Sequence, residues 1–332
     1  MQLYNKLSAI ERAALIDEAG KDRLTISFYQ YYKIENPQLF RDKLFLEWNT
    51  LDVLGRIYVS FEGINAQLSV PSENFYALKE QLDSISFLKD IRLNVAVEHD
   101  NKSFLKLKVK VRNKIVADGL NDDTFDVTAK GVHLNAKEFN EMLANPDTVC
   151  VDMRNHYESE IGYFDGAITP DVDTFRDSLD IIEEDLKDNK EDKNLLMYCT
   201  GGIRCEKSTS LLVSKGFDDV WHLKGGILNY LEETPESSTR WEGECFVFDN
   251  RVAVNHQLEK GQYDQCFACR FPLDDAQKQS PLYVPGVSCP RCHDAHSEGQ
   301  KKRFSERQRQ MALARERGEV HLGATPVAGQ RQ

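Results

Sequence analysis

The stretch LLMYCTGGIRCEKSTSLLVSKG, residues 195–216, joins a short apolar run to a helix-like segment through a glycine-rich turn. Residues 195–198 have the length and composition of a buried strand. Two similar runs flank it, TVCVDMR at 148–154 and DVWHL at 219–223. From about residue 136 the order reads helix, strand, loop, helix, strand, helix, strand, then a Gly-Gly pair. Strands that alternate with helices build a parallel sheet with helices on its faces. In such sheets ligands bind beyond the carboxyl ends of the strands. Cys199 stands at one such end, followed by Thr200, Gly201, Gly202, Ile203 and Arg204.

Three features of that turn favour a thiolate. Glycines let the backbone curl so that successive N–H groups point inward. The following helix directs its positive end to the same place. Arg204 adds a fixed cation. The thiolate is the nucleophilic form of cysteine. A buried cysteine before a tight turn is the plainer reading; the glycine pair with the arginine favours chemistry. Four residues separate Cys199 from Arg204, one fewer than a cysteine phosphatase uses, so the loop suits a sulfur atom better than a phosphate. Cys205 could resolve an oxidised or persulfidated Cys199 as a disulfide. A small apolar residue opening a helix is the reading favoured for it.

The rest of the chain bounds the setting. With 332 residues, 41% hydrophobic and 29% charged, two or three globular domains are expected. Apolar runs are too short to span a bilayer, and residues 1–21 lack a signal-peptide core. A cytoplasmic protein with no membrane partner is therefore expected. Eight cysteines in a reducing compartment point to metal or thiol chemistry rather than disulfides.

Upstream, residues 26–34 and 56–70 are rich in β-branched and aromatic residues. Glu62-Gly63 divides the second into two strands about a turn. Helical patterns cover 36–50 and 72–84, and LNVAV at 93–97 closes a βαββαβ unit of ferredoxin type. Residues 104–116 begin with strict alternation, with Leu105, Leu107, Val109 and Val111 on one face and Lys106, Lys108, Lys110 and Arg112 on the other.

Downstream, Cys266-x-x-Cys269 and Cys289-x-x-Cys292 lie nineteen residues apart. Two such turns close a thiolate tetrahedron, so structural zinc is expected. CPRCH at 289–293 also matches a haem-attachment pattern, which would require export. His293 or His296 is a lesser ligand candidate. Cys150 and Cys245 have no partner legible in sequence. No organic cofactor is evident, and no 2-His-1-carboxylate iron site stands out.

Charge is uneven. The net value is −12, and residues 171–193 hold ten acids against four bases. Against that background two basic elements stand out. One is the strand ladder just described. The other is KKRFSERQRQMALARERG at 301–318, with Lys301, Lys302, Arg303, Arg307 and Arg309. Concentrated cations in an acidic chain are the footprint of a phosphate backbone. Tyr198 and Trp221 are candidate stacking aromatics.

CTGGIR resembles the active-site loop of the rhodanese domain. VDMRNHYESEIGYFDGAI at 151–168 resembles that family's first motif through Asp152, Arg154, Glu158, Gly162, Gly166 and Ala167, with Tyr163-Phe164 where many members have His-Ile. VWHLKGGILNY at 220–230, with Gly225-Gly226, resembles its closing motif. The resemblance implies that Cys199 is the position that carries a persulfide. With EGIN at 62–65, GECFVFDNRVAV at 243–254 and the paired CxxC, the chain is similar to the tRNA uridine hydroxylases of the rhodanese superfamily. That resemblance implies oxygen-dependent conversion of the wobble uridine of tRNA to 5-hydroxyuridine. It also implies dependence on Cys199, dioxygen as co-substrate, tRNA as partner and an unidentified electron donor. A sulfurtransferase passing a Cys199 persulfide to a small acceptor or to tRNA is the alternative. A non-catalytic RNA-binding module is a third reading. The expected organisation is a ferredoxin-like (acylphosphatase-like) domain over 1–116 and a connector over 117–139. A rhodanese α/β domain over 140–237 and a zinc-binding, basic region over 238–332 follow.

Overall fold

The computed structural model describes residues 16, 20, 22–96, 104–120, 126–129, 131–186, 194–248 and 251–316. The first unit is β1 (Arg23–Tyr31), α1 (Pro37–Thr50), β2 (Leu54–Ser60), β3 (Gly63–Pro71), α2 (Phe75–Asp83) and β4 (Asn94–Val95). Its sheet has the order β4-β1-β3-β2, extended by β5 (Leu107–Val111), which pairs in parallel with β2. This is the expected βαββαβ arrangement with one added edge strand. Asn36 caps α1 by accepting the Leu39 amide at 2.9 Å, and Pro37 opens the first turn. Ile26, Phe28, Ile57, Val59, Ile64, Ala66 and Leu68 face the helices and bury against Leu44, Trp48, Leu78 and Leu82. Alternation holds in the middle of β5, where Leu107 and Val109 are buried and Lys108 and Lys110 exposed; at its ends Leu105 and Lys106 are both half-buried, and Val111, expected on the buried face, is exposed as the sheet edge ends. Gly63 is forced at the β2–β3 turn, because a Cβ there would meet the Gln30 carbonyl oxygen at 2.0 Å.

The second unit carries a four-stranded, all-parallel sheet of order β6-β10-β9-β7. Its elements are β6 (Val132–Leu134), α3 (Ala136–Leu143), β7 (Thr148–Asp152), α4 (His156–Ser159), β8 (Gly162–Phe164), α5 (Phe175–Leu186), β9 (Asn194–Tyr198), α6 (Ile203–Ser214), β10 (Val220–Leu223) and α7 (Gly226–Glu233). The segment expected to be a plain connector, 117–139, contributes β6 and the start of α3. β6 is three residues long with Val132 exposed and His133 half-buried, so no alternation marked it. An Asn135–Glu138 capping box then starts α3.

These two units are docked. Helix α6 is buried over nearly its whole surface, from Arg204 to Leu212. Its outer side is covered by the first unit. Tyr31 Oη donates to the Ile203 carbonyl at 3.2 Å, and Tyr29 Oη donates to Glu206 Oε1 at 3.2 Å. The ammonium of Lys207, fully buried, bonds Glu62 of the β2–β3 turn and Asp118 Oδ2, the latter at 3.1 Å.

The last unit begins with β11 (Trp241–Gly243), which pairs antiparallel with β8. β12 (Cys245–Phe246), β13 (Ala253–Val254), β14 (Asp264–Gln265), β15 (Pro272–Leu273), α8 (Asp275–Lys278) and α9 (Glu298–Glu316) follow. The remainder of the basic tail, 317–332, lies outside the described residues, as does position 97 of the expected strand at 93–97. No helix among the described residues is long and apolar enough to cross a membrane.

Candidate functional site

Strand β9 is central in its sheet, and Cys199 follows its last residue, 1% exposed. Helix α6 starts at Ile203, directly after the loop, so its free amides face the thiol. Gly202 precedes it with φ +96°, a left-handed conformation that favours glycine. The Gly202 amide donates to Cys199 Sγ at 3.1 Å. From the other side the first turn of α7 holds the loop: Ile227 N–H donates to the Cys199 carbonyl at 3.0 Å and Leu228 N–H to that of Thr200 at 3.2 Å. Gly226 makes that approach possible, since a Cβ there would lie 2.5 Å from both carbonyl oxygens. The Gly225-Gly226 pair of the closing motif is thus a backbone seat for the cysteine loop.

Burial pushes the Cys199 thiol up. A hydrogen bond from the Cys205 thiol, the charge of Arg204 and the loop amides outweigh it and bring the thiol down to about 6. Cys205 itself is buried and held well above the usual thiol range, by burial and by its bond to Cys199. Cys205 therefore packs in the helix as expected, and it also touches the reactive sulfur.

Arg204 reaches the site through a second residue. Its guanidinium is locked bidentate onto Glu158, with Nη1 to Oε1 at 2.7 Å and Nη2 to Oε2 at 2.8 Å. Burial opposes the Glu158 charge, but Arg204 wins and holds the carboxyl below the usual range. Thr200 Oγ1 donates to Glu158 Oε2 at 3.3 Å, which ties the loop to the same pair. Glu158 sits on α4, whose entry is fixed by a second buried pair. Arg154 binds Asp152 through Nε (2.9 Å to Oδ1) and Nη2 (2.6 Å to Oδ2), and donates to the Glu158 and Gly162 carbonyls. Asp152, Arg154, Glu158 and Gly162 of the first motif are therefore the scaffold that sets Arg204.

The N-terminal unit forms the roof. A Cβ on Gly202 would lie 2.6 Å from Tyr29 Oη, so this ring rests on the cysteine loop. Glu206, which accepts from Tyr29, also lies 3.4 Å from His133 Nε2. On the opposite flank Phe248, 64% exposed, lies under the Arg204 guanidinium at 5.9 Å. Tyr29 and Phe248 carried no local signal in the sequence, because both meet the loop through tertiary contact. Tyr198, a candidate stacking aromatic, is fully buried among Phe139, Phe164 and Trp241 and cannot face a base. Trp221 is half-buried against the core of its sheet.

The four thiols of Cys266, Cys269, Cys289 and Cys292 lie within 4.8 Å of one another. Individual separations are 3.9 Å (266 to 292), 3.7 Å (269 to 289) and 3.6 Å (289 to 292). A tetrahedron of thiolates at the zinc–sulfur bond length has edges of about 3.8 Å, so the donor set fits zinc. His293 pairs with Asp294, and His296 lies edge-on to Phe304; neither histidine belongs to this group. Cys150 and Cys245 are buried core residues. The cluster is fastened to the loop scaffold: Arg291, inside the second CxxC, pairs with Glu160, the residue that caps the end of α4, at 2.6 Å.

The basic elements separate into two groups. On α9, Lys301 pairs with Glu298 and Arg309 with Glu306. Arg307 donates to the carbonyls of Phe267 and Gly286, clamping the helix to both cysteine turns. Lys302 and Arg303 are exposed. On the N-terminal sheet, Lys106, Lys108, Lys110 and Arg112 pair with no carboxylate among the described residues.

Residues 23–115 match the UPF0176 acylphosphatase-like domain, and residues 135–233 match the rhodanese-like domain. The chain thus joins an acylphosphatase-like N-terminal domain, a rhodanese domain with a parallel sheet, and a cysteine cluster able to bind a metal. Among solved structures, a rhodanese-like domain protein from Staphylococcus aureus is 25% identical. The match covers 30% of this chain and 90% of that one, with a TM-score of 0.25. A rhodanese-related protein from Thermoplasma volcanium is 22% identical over 31% of this chain and 92% of that one, with a TM-score of 0.25. A single-domain sulfurtransferase from Saccharomyces cerevisiae is 20% identical over 31% and 90%, with a TM-score of 0.26.

Proposed function

We propose that this protein hydroxylates the wobble uridine of tRNA at C5, with Cys199 as the essential nucleophile. The observation that carries the reading is the cradle around Cys199. A thiol brought down to about 6 lies at a strand end, faced by the Gly202 amide and the first turn of α6. A second domain roofs it. The joining of an acylphosphatase-like domain to a rhodanese domain supports the same reading, through the resemblance to the uridine hydroxylases.

The overall change inserts one atom of dioxygen into the C5–H bond. The second atom leaves as water, with two electrons and two protons from a donor. Cys199 prepares the ring for it. The thiolate adds to C6 of the uracil, and the displaced electron pair moves onto O4 as an enolate. C5 is then electron-rich and open to an electrophilic oxygen. Loss of the C5 proton and departure of the thiolate restore the ring. Loop amides and the α6 terminus stabilise the anionic species. A wobble base is unpaired and can be splayed into a pocket. The metal cluster would be a closed four-thiolate site and holds the C-terminal region against α4; it has no open position for substrate.

Sulfur transfer is the second reading. It is favoured by the tightness of the cradle, where the Gly202 amide already lies at 3.1 Å from the sulfur. Nucleoside mass spectrometry of tRNA from a deletion strain separates the two: loss of an oxygenated uridine supports hydroxylation, and loss of a thiolated base supports sulfur transfer.

A further inference from the structure

The N-terminal sheet has one face covered by α1 and α2; its other face meets α6 at Tyr29 and Tyr31 and the Ile115 carbonyl at Asn65, and lies open toward β2 and β5. Register places that second face in rows. Tyr29 pairs with Asn65, Asn65 with Tyr58, and Tyr58 with Lys110. The adjacent row is Ser27, Gln67, Arg56 and Lys108. Strands lie about 4.8 Å apart, so each row spans about 14 Å. One end of the first row is Tyr29, which touches Gly202 and Glu206 of the cysteine loop. At the other end lies a cluster of cations.

That cluster is unusual for a chain of net charge −12. Arg56, Lys106, Lys108, Lys110 and Arg112 all belong to this face or its edge, and none pairs with a carboxylate among the described residues. Arg56, Lys108 and Lys110 are exposed. Like charges on neighbouring strands repel, and a bound polyanion would offset that repulsion. The Arg112 guanidinium stands 5.5 Å over the ring of Tyr58, itself half-exposed. A charge suited to phosphate and a π-face suited to a base therefore occupy one spot. Charge alone would fit an acidic peptide equally well. The aromatic ring beside the cations, on the same face that meets the Cys199 loop at Tyr29, favours a single-stranded nucleic acid.

We propose that the open part of this face, at β2 and β5, is the track that leads single-stranded RNA toward the junction with the Cys199 loop. Arg56, Lys106, Lys108, Lys110 and Arg112 hold phosphates, Tyr58 stacks a base, and Tyr29 marks where the strand reaches the loop. The proposal rests on the RNA-modifying reading above and assigns its substrate surface to residues outside the rhodanese domain.

Fluorescence anisotropy of the full chain with labelled decauridine RNA, and separately with a labelled decaglutamate peptide, tests it. The variants are Tyr58→Ala and the triple Arg56→Gln, Lys108→Gln, Lys110→Gln. Tyr58→Ala should weaken decauridine binding at least about fivefold. The triple variant should weaken it at least about tenfold and lower the salt slope by about 2. Both variants should keep the wild-type rate of Cys199 alkylation by iodoacetamide, which shows the cradle intact. If the wild type binds decauridine and neither variant weakens it, the track is wrong while the RNA reading stands. If the wild type binds decaglutamate in preference to RNA, the track is wrong and the face serves an acidic peptide. If the wild type binds no RNA at millimolar concentration, both proposals fail.

Discussion

The hydroxyl of Tyr29 donates to Glu206 Oε1 at 3.2 Å, and the same hydroxyl lies 2.6 Å from where a Cβ on Gly202 would be. A residue of the first strand thus closes the cysteine loop 170 positions further on. Cys199 is 1% exposed in this arrangement, so a base reaches it only when the roof yields. Tyr29→Ala should therefore raise the rate of Cys199 alkylation at fixed pH severalfold, while lowering modification of tRNA. An unchanged alkylation rate would show that Tyr29 does not gate the thiol.

Cys199 should titrate far below a free thiol. With its thiol at about 6 against an ordinary value of 9.0, alkylation should rise with a midpoint near pH 6 and level off above it. Its folded value is depressed, so ionisation favours the fold. That contribution is complete above pH 9 and is lost as pH falls through 6. Cys205→Ala removes the thiol hydrogen bond and should move the alkylation midpoint upward. A midpoint near pH 9 in the wild type would contradict the cradle.

Gly226 and Gly216 provide a matched pair. Both have positive φ, +68° and +84°. A Cβ at Gly216 meets nothing within 4 Å, whereas at Gly226 it would strike the Cys199 and Thr200 carbonyls. Gly216→Ala should cost about 1 kcal/mol of stability, the left-handed strain alone, and leave activity intact. Gly226→Ala should cost more and abolish modification by displacing the loop. Thermal unfolding and tRNA modification, measured side by side, decide it.

Glu158→Gln leaves Arg204 buried beside a neutral partner. Breaking a buried pair in this way costs about 3–5 kcal/mol. The double variant Glu158→Gln, Arg204→Met should be less destabilised than the sum of the singles. Additive effects in a denaturant series would show that the pair is not coupled.

Purified protein should contain one equivalent of zinc held by Cys266, Cys269, Cys289 and Cys292. Cys289→Ser should lower the metal content and expose the region to protease, because Arg307 of α9 rests on both cysteine turns. Less than about half an equivalent in the wild type would count against the four-thiolate site.

The β9–loop–α6 unit was legible because composition, length and glycines all point one way over twenty consecutive residues. The cysteine cluster was legible because its ligands sit in two short repeats of fixed spacing. The basic alternation at 104–112 was legible for the same local reason. β6 was not, since three residues with an exposed valine carry no period. Lys207 carried no signal in the sequence; it is fully buried because Glu62 arrives from 145 residues away. Arg204 was read as a fixed cation beside the thiol; what fixes it is Glu158, which only the fold brings near. The roof residue Tyr29 and the half-exposed Tyr58 gave no sign, because register across four strands is invisible in any one of them.

The most direct measurement is nucleoside mass spectrometry of total tRNA from a deletion strain complemented with the wild-type chain or with Cys199→Ala. The account predicts that 5-hydroxyuridine and its derivatives disappear on deletion. They return with the wild type and stay absent with Cys199→Ala. An unchanged profile on deletion, or full restoration by Cys199→Ala, would contradict it.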